Sequence, residues 1–247
     1  MKKLLFIFLF RNINKKIFIA GALMNPQNFW NDINTLNPHS CPNISFFRFL
    51  GNSGIEVENK IILEIGFGAN NGADLCELKK RGANVYGADI NQFYIEEFNK
   101  MHPDIYVYKI NAANDSLSSF INFDIIYHRD LIYYLSDSEI EFHLLSVFKN
   151  LKIGGCFIFQ FIENDLFVDQ PILTRKSLKF DFNFIKDDCS AKMHKGDVNP
   201  LRKLNIDYLV NLAREIGFKL KGTKTLIESY SSDETIYRIN RYIHLEK

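Results

Sequence analysis

Between residues 64 and 89 the chain sets an acid, two glycines and a second acid at a spacing suited to holding a nucleoside: Glu64-Ile65-Gly66-Phe67-Gly68, then Asp89. Glycines at 66 and 68 let the backbone turn sharply and approach a ligand closely. A helix that follows such a turn aims its unpaired N–H groups at the same place. An acid closing the next strand can accept hydrogen bonds from both ribose hydroxyls, and Asp89, followed by Ile90, stands where it would do so. Gly-x-Gly alone describes many ordinary turns. The strand, loop, helix, strand and acid in succession make the pattern informative.

Charge narrows the cofactor. A dinucleotide would rest a pyrophosphate on this loop, and Glu64, two residues before Gly66, would repel it. S-adenosyl-L-methionine carries an ammonium and a sulfonium and no phosphate, so Glu64 would help to hold it. Spacing agrees, because the dinucleotide fingerprint asks for a small third residue where this chain has Asn71, with Gly72 one place late.

The elements that position these residues follow from periodicity. Strands are expected at Ile61–Ile65, Val85–Asp89, Ile105–Ile110, Phe123–Tyr127 and Cys156–Phe161, and helices at Gly72–Arg81, Gln92–Met101 and Ser138–Asn150. Such alternation implies an α/β fold with a parallel, doubly wound sheet, because parallel strands need crossover connections. Its ligand site then lies beyond the carboxyl ends of the strands. Residues 162–204 break the alternation and read as a lid or cap. Ile206–Ile216 returns to helical periodicity with Gly217 as its stop, and Tyr237–Leu245 reads as a last strand.

Taken together, Ile62-Leu63-Glu64-Ile65-Gly66-Phe67-Gly68, Val85 to Ile90, Phe123 to Leu135 and Leu151-Lys152-Ile153-Gly154-Gly155 resemble the class I S-adenosylmethionine-dependent methyltransferases, over about residues 55–162. The resemblance implies a Rossmann-like doubly wound sheet, mostly parallel with an antiparallel carboxyl-terminal strand. It also implies that Glu64, Gly66 and Gly68 line the methionine portion of the cofactor and that Asp89 and Ile90 hold the ribose. Asn111 and Ala112 take the place where the family reads adenine; Asn111 reads equally well as a turn former ending a strand. His128 follows the expected fourth strand, where it would meet the methionine amino group or the acceptor, and it is the candidate general base. Asp130, Tyr133 and Tyr134 would shape the acceptor pocket. The chain departs from the family in the glycine loop, where Asn70 replaces the common third glycine.

Composition bounds the acceptor. The 247 residues are 47% hydrophobic, enough for one full core, and 30 basic against 29 acidic residues leave a net charge of +1, so nothing global draws the chain to nucleic acid. No Asn-Pro-Pro-aromatic tetrapeptide and no Pro-Cys pair occurs. A small molecule or a sugar, methylated on an O or N atom, is the expected acceptor. Four widely spaced cysteines suggest reduced thiols and a cytoplasmic protein with no metal site. Residues 1–23 hold two short apolar runs interrupted by Arg11, Lys15 and Lys16, too short to span a membrane. They read as an extension ahead of a domain from 24 to 247, with a weak interfacial contact as the other reading. Two rivals share the fold: a catalytically silent nucleoside-binding or scaffold protein, and another enzyme, either a nicotinamide-dependent reductase or an aminopropyl transferase.

Overall fold

A computed structural model describes residues 34–36, 40–117, 121–162, 205–229 and 237–247. The expected extension at 1–23 lies outside them, as does the lid apart from Ile162. Seven strands form one sheet: β1 Ile61–Ile65, β2 Asn84–Asp89, β3 Tyr106–Lys109, β4 Phe123–Arg129, β5 Leu151–Ile162, β6 Lys219–Ser229 and β7 Tyr237–Glu246. The order is β3-β2-β1-β4-β5-β7-β6, with β7 antiparallel to both its neighbours and all other pairings parallel. The doubly wound sheet with its antiparallel carboxyl-terminal strand is therefore as the sequence implies. Strand order reverses between β1 and β4, which places the ligand crevice at their carboxyl ends.

Helices cover both faces. On one side lie α1 Ile44–Asn52, α2 Ala73–Lys80 and α3 Gln92–Met101, whose Phe46, Phe49, Leu75, Leu78 and Phe98 pack on Ile62, Val85, Ile125, Tyr127 and Tyr242. On the other lie α4 Asp137–Asn150 and α5 Ile206–Ile216, with Ile140, Leu144, Val147, Leu209 and Ala213 packed on Leu63, Ile65, Ile126, Phe157 and Ile243. The alternation of Ile62 and Glu64 against Leu63 and Ile65 along β1 is the strand period of two applied to a sheet buried on both faces. Local chemistry sets the helix ends. Ser136 and Glu139 form a reciprocal capping box on α4, and Gly217, at φ 117°, ends α5 in the left-handed conformation.

Four elements differ from the sequence reading, the first being β5, which starts at Leu151 rather than Cys156. Helix α1 is new; its signal was Asn43, which caps Phe46, followed by apolar residues at 46, 49 and 50. Strand β6 is also new, an edge strand whose Lys219, Lys221 and Lys224 hide its strand character and guard its unpaired side. Strand β4 runs two residues further than expected, through Arg129, which changes which side chains reach the crevice.

Candidate functional site

The glycine turn after β1 is pinned to the end of β2. Asp89 accepts from the Gly68 N–H through Oδ2 at 2.8 Å and from the Asn91 N–H through Oδ1 at 2.8 Å. Burial pushes its carboxyl up to about 6, and the backbone N–H groups of Asn91, Gly68 and Ile90 oppose that rise. Gly66 sits at φ 81°, and Gly68 has no room for a side chain, since a Cβ would lie 2.1 Å from the Tyr94 ring. The altered third position is accommodated one step later. A short 3-10 turn at Gly68–Asn70 leads to Asn71 and Gly72, both left-handed, and at Gly72 a Cβ would lie 2.1 Å from the Phe98 ring. Gly72 thus lets the Phe98 ring pack against the backbone at the start of α2.

Asn70 has a task of its own. Its side-chain amide donates to the Cys41 carbonyl at 2.9 Å, and the Asn43 N–H donates to Asp74 Oδ1 at 2.7 Å. These two bonds lay the segment before α1 along the glycine loop.

Glu64 is 2% exposed and faces the α1–α3 side of the sheet, level with Tyr127 on β4. Its Oε2 is buried with no hydrogen-bond partner among the described residues. Burial and the nearby Asp74 carboxylate raise its carboxyl to about 8, while the Arg129 guanidinium and the Tyr127 hydroxyl pull it back. A carboxyl held this high stays protonated near neutral pH unless a cation pairs with it. Arg129, two residues beyond Tyr127 on the same face, pairs with the fully buried Asp74 at 2.8 Å. Neither Arg129 nor Asp74 drew notice in the sequence; the signal was the strand period, with Arg129 two places after Tyr127. The buried atoms present therefore suit the methionine end of S-adenosylmethionine, an ammonium beside Glu64 and a backbone turn without side chains.

The loop after β3 shows the turn-forming side of Asn111. Its Oδ1 accepts from the Ala113 N–H at 3.0 Å and its own N–H donates to Asp115 at 2.8 Å. The backbone of Ala112 is hydrogen-bonded by His143 of α4.

His128 lies inside β4 rather than after it, and the pleat turns it to the α4 face. It is 1% exposed, with its ring 5.2 Å from that of His143 and 5.3 and 5.7 Å from Phe157 and Phe159. Neither ring nitrogen has a partner among the described residues, and burial followed by the neighbouring His143 pushes its pKa well down. It thus shares a strand with the crevice residues but not their face.

The loop after β4 does reach the crevice. Asp130 is left-handed at φ 54°, its N–H donating to the Gln160 carbonyl at 3.0 Å, and the next residue places Leu131 Cδ1 3.4 Å from where a Gly66 Cβ would stand. A short turn at Ile132–Tyr134 carries Tyr133 and the half-buried Tyr134. Among the described residues no group of three or more His, Cys, Asp and Glu side chains could hold a metal ion, and no helix is long and apolar enough to cross a membrane.

No protein-family model matches the sequence, and no curated protein matches it. Solved structures do match. A protein solved in connection with the conversion of a disulfide bond into a thioacetal group during echinomycin biosynthesis is 14% identical, over 87% of this chain and 84% of its own, with a TM-score of 0.63. An S-adenosylmethionine-dependent methyltransferase from Mesorhizobium loti is 14% identical over 83% of this chain and 99% of its own, with a TM-score of 0.58. One from Methanosarcina mazei is 18% identical over 84% and 98%, with a TM-score of 0.57. At these identities the likeness is one of architecture, and it agrees with the strand order and the crevice just described. The chain has the fold of the class I S-adenosylmethionine-dependent methyltransferases.

Proposed function

We propose that the chain is an S-adenosylmethionine-dependent methyltransferase that methylates an O or N atom of a small-molecule or sugar acceptor. The observation that carries the reading is the buried, unpartnered Glu64 oxygen at the foot of a glycine turn that Asp89 pins in place. Glu64, Gly66 and Gly68 take the methionine end, Asp89 and Ile90 the ribose, and Asn111 with Ala112 the adenine. Asp130, Tyr133 and Tyr134 face the acceptor.

When bound, the cofactor supplies a methyl group on a sulfonium, already activated for displacement. The chain's task is then to hold the acceptor atom in line and close, which can account for much of the rate enhancement. Glu64 accepts from the α-ammonium, and the rigid bond from Gly68 to Asp89 keeps the turn and the ribose acceptor in register. A hydroxyl or protonated amine acceptor must also lose a proton. Asp130, on the loop beside Gly66, is the carboxylate at that end, whereas His128 packs against α4 and contacts no reacting atom in this reading.

Calorimetric titration of the chain with S-adenosylmethionine, S-adenosylhomocysteine and NADH tests the proposal. Micromolar binding of the first two alone is the expected result. Binding of NADH instead favours a reductase, and a folded chain that binds none of them favours a silent scaffold. Release of S-adenosylhomocysteine against a panel of metabolites and sugars then finds the acceptor.

A further inference from the structure

One face of α4 holds the loop after β3 at both ends. His143 and Ser146 are buried and three residues apart on that helix, so they share a face. Ser146 Oγ accepts from the Leu117 N–H at 2.8 Å. The bond from His143 to the Ala112 backbone favours the protonated ring nitrogen, so the carbonyl accepts and the ring donates. Nε2 of His143 has no partner among the described residues, which leaves Nδ1 as the donor. The rings of His128 and Phe157, at 5.2 and 5.9 Å, hold the imidazole in that orientation. Within the loop, the Ala113 N–H donates to Asn111 Oδ1 at 3.0 Å. The peptide unit between Ala112 and Ala113 is therefore tied by its oxygen to α4 and by its nitrogen to the Asn111 side chain.

A turn reading Asn111-Ala112-Ala113-Asn114-Asp115 has little with which to hold one shape unaided, because its alanines are small and its polar side chains can bond several backbone groups. Rotating the tied peptide would give up both of its bonds at once, and with them the direction of the Asn111 side chain. We propose, building on the methyltransferase reading, that His143 and Ser146 are positioning residues for the nucleobase. They hold the loop in the conformation that presents Asn111 and Ala112 to the base, and so set a preference for adenine over a purine with a 6-oxo group. Neither touches the ligand; each acts through the loop. Adenine has an acceptor at N1 and a donor at its 6-amino group, and hypoxanthine reverses both. A loop held still tells the two apart, whereas a loop free to rotate a peptide satisfies either.

The test is calorimetric titration of the full chain with S-adenosylhomocysteine and S-inosylhomocysteine, for the wild type, His143→Leu, His143→Asn and Ser146→Ala. The two ligands differ only in the base, so the ratio of their affinities reads the loop and not the stability of the fold. The wild type is expected to prefer S-adenosylhomocysteine about tenfold or more. Leucine keeps the packing beside Phe157 and loses the donor, and asparagine keeps a donor near the place of Nδ1 and loses packing. His143→Leu is therefore expected to bring the ratio below about threefold, while His143→Asn stays within about twofold of the wild-type ratio even if it melts lower. A residue that only fills the core gives the reverse order, and that result overturns the inference. Ser146→Ala, which removes one hydroxyl, is expected to lower the ratio by about threefold, and it carries the test should both His143 variants fail to fold. A wild type that binds both ligands equally, or variants that lose both ligands in proportion, overturns the inference and leaves the methyltransferase reading standing. Failure of the folded wild type to bind either ligand overturns both.

Discussion

His128 and Arg129 are adjacent on β4 yet belong to different halves of the molecule. Arg129 turns toward α2, where acids gather: Asp74 and Glu64 lie around it, and burial lifts the Glu64 carboxyl to about 8. His128 turns toward α4, where it meets His143, Phe157 and Phe159, and burial lowers both histidines, His143 to about 4. Both faces bury titratable groups at a cost, with opposite results. On the α2 face Arg129 is paired with Asp74 and the neighbouring Glu64 carboxyl is held protonated near neutral pH. On the α4 face the histidines are neutral and enclosed by rings, which is the state of a core. The difference follows from a period of two, since a shift of one residue along a strand exchanges faces.

The comparison breaks most easily at the joint that holds the crevice together. Asp89→Ala removes an acceptor from two backbone N–H groups, and the expected cost is about 1–3 kcal/mol for each orphaned donor. For a domain of this size that corresponds to a fall in Tm of about 2–4 °C per kcal/mol. Loss of the ribose contact as well should weaken S-adenosylhomocysteine binding by about a hundredfold. Calorimetry and thermal melting together check this, and unchanged affinity would place the cofactor elsewhere.

Glu64→Gln sharpens the contrast because affinity and stability should move in opposite directions. The folded pKa near 8 exceeds the ordinary value of 4.5. The stability Glu64 contributes is therefore fully present below pH 4.5 and is lost as pH rises toward 8. The glutamine variant escapes that loss, so without ligand it should melt higher than the wild type at pH 8 and the same at pH 4. The cofactor ammonium favours the ionised carboxylate, so wild-type affinity should strengthen from pH 6 to 8 with release of a proton. In the variant it should be about tenfold or more weaker and flat with pH. Titrations in buffers of different ionisation enthalpy count the proton, and none released would mean that Glu64 does not meet the ammonium.

The α4 face makes the opposite prediction in acid. The pKa of His143 falls from 6.5 to about 4 on folding, because burial outweighs its hydrogen bond to the Ala112 backbone. The stability it contributes is present above pH 6.5 and is lost as pH falls through 4. His143→Leu should therefore cost about 1 kcal/mol at pH 7, where the bond to Ala112 is lost, and should shift the acid unfolding midpoint downward. An unchanged acid midpoint would mean that His143 is not the group whose protonation opens this face.

The sheet was legible because its signals are local. Ile61–Ile65 and Gln92–Met101 form as their periodicity requires, and the Gly217 stop is an αL glycine cap. The glycine turn and Asp89 were legible because their spacing encodes a contact between consecutive strands. What stayed hidden depends on long-range order. Helix α1 is held by Phe46 stacked on Tyr127 and Phe49 on Tyr242, residues about 80 and 190 positions away. The tasks of Asn70 and Asp74 exist only once the segment before α1 lies on the loop. Arg129 stays hidden for a different reason: the apolar pattern of β4 stops at Tyr127, and the two further strand residues decide which faces of the sheet His128 and Arg129 take.

The smallest expected effect is the one that tests this division most directly. His128→Leu keeps an apolar side chain of similar size among Phe157, Phe159 and His143 and removes two ring nitrogens that have no partner among the described residues. Replacing a buried polar group that makes no hydrogen bond with an apolar one of the same shape is close to neutral in stability or favourable. Turnover by the variant, once an acceptor is known, should stay within about threefold of the wild type, since general base catalysis contributes about a hundredfold or more where it operates. A pH–rate profile separates the cases further. A histidine base would impose a rising limb that the leucine variant lacks, whereas a buried His128 leaves the two profiles parallel. A large loss of turnover with an intact fold and unchanged cofactor affinity would return His128 to the chemistry, and would mean that the α4 face opens during the reaction.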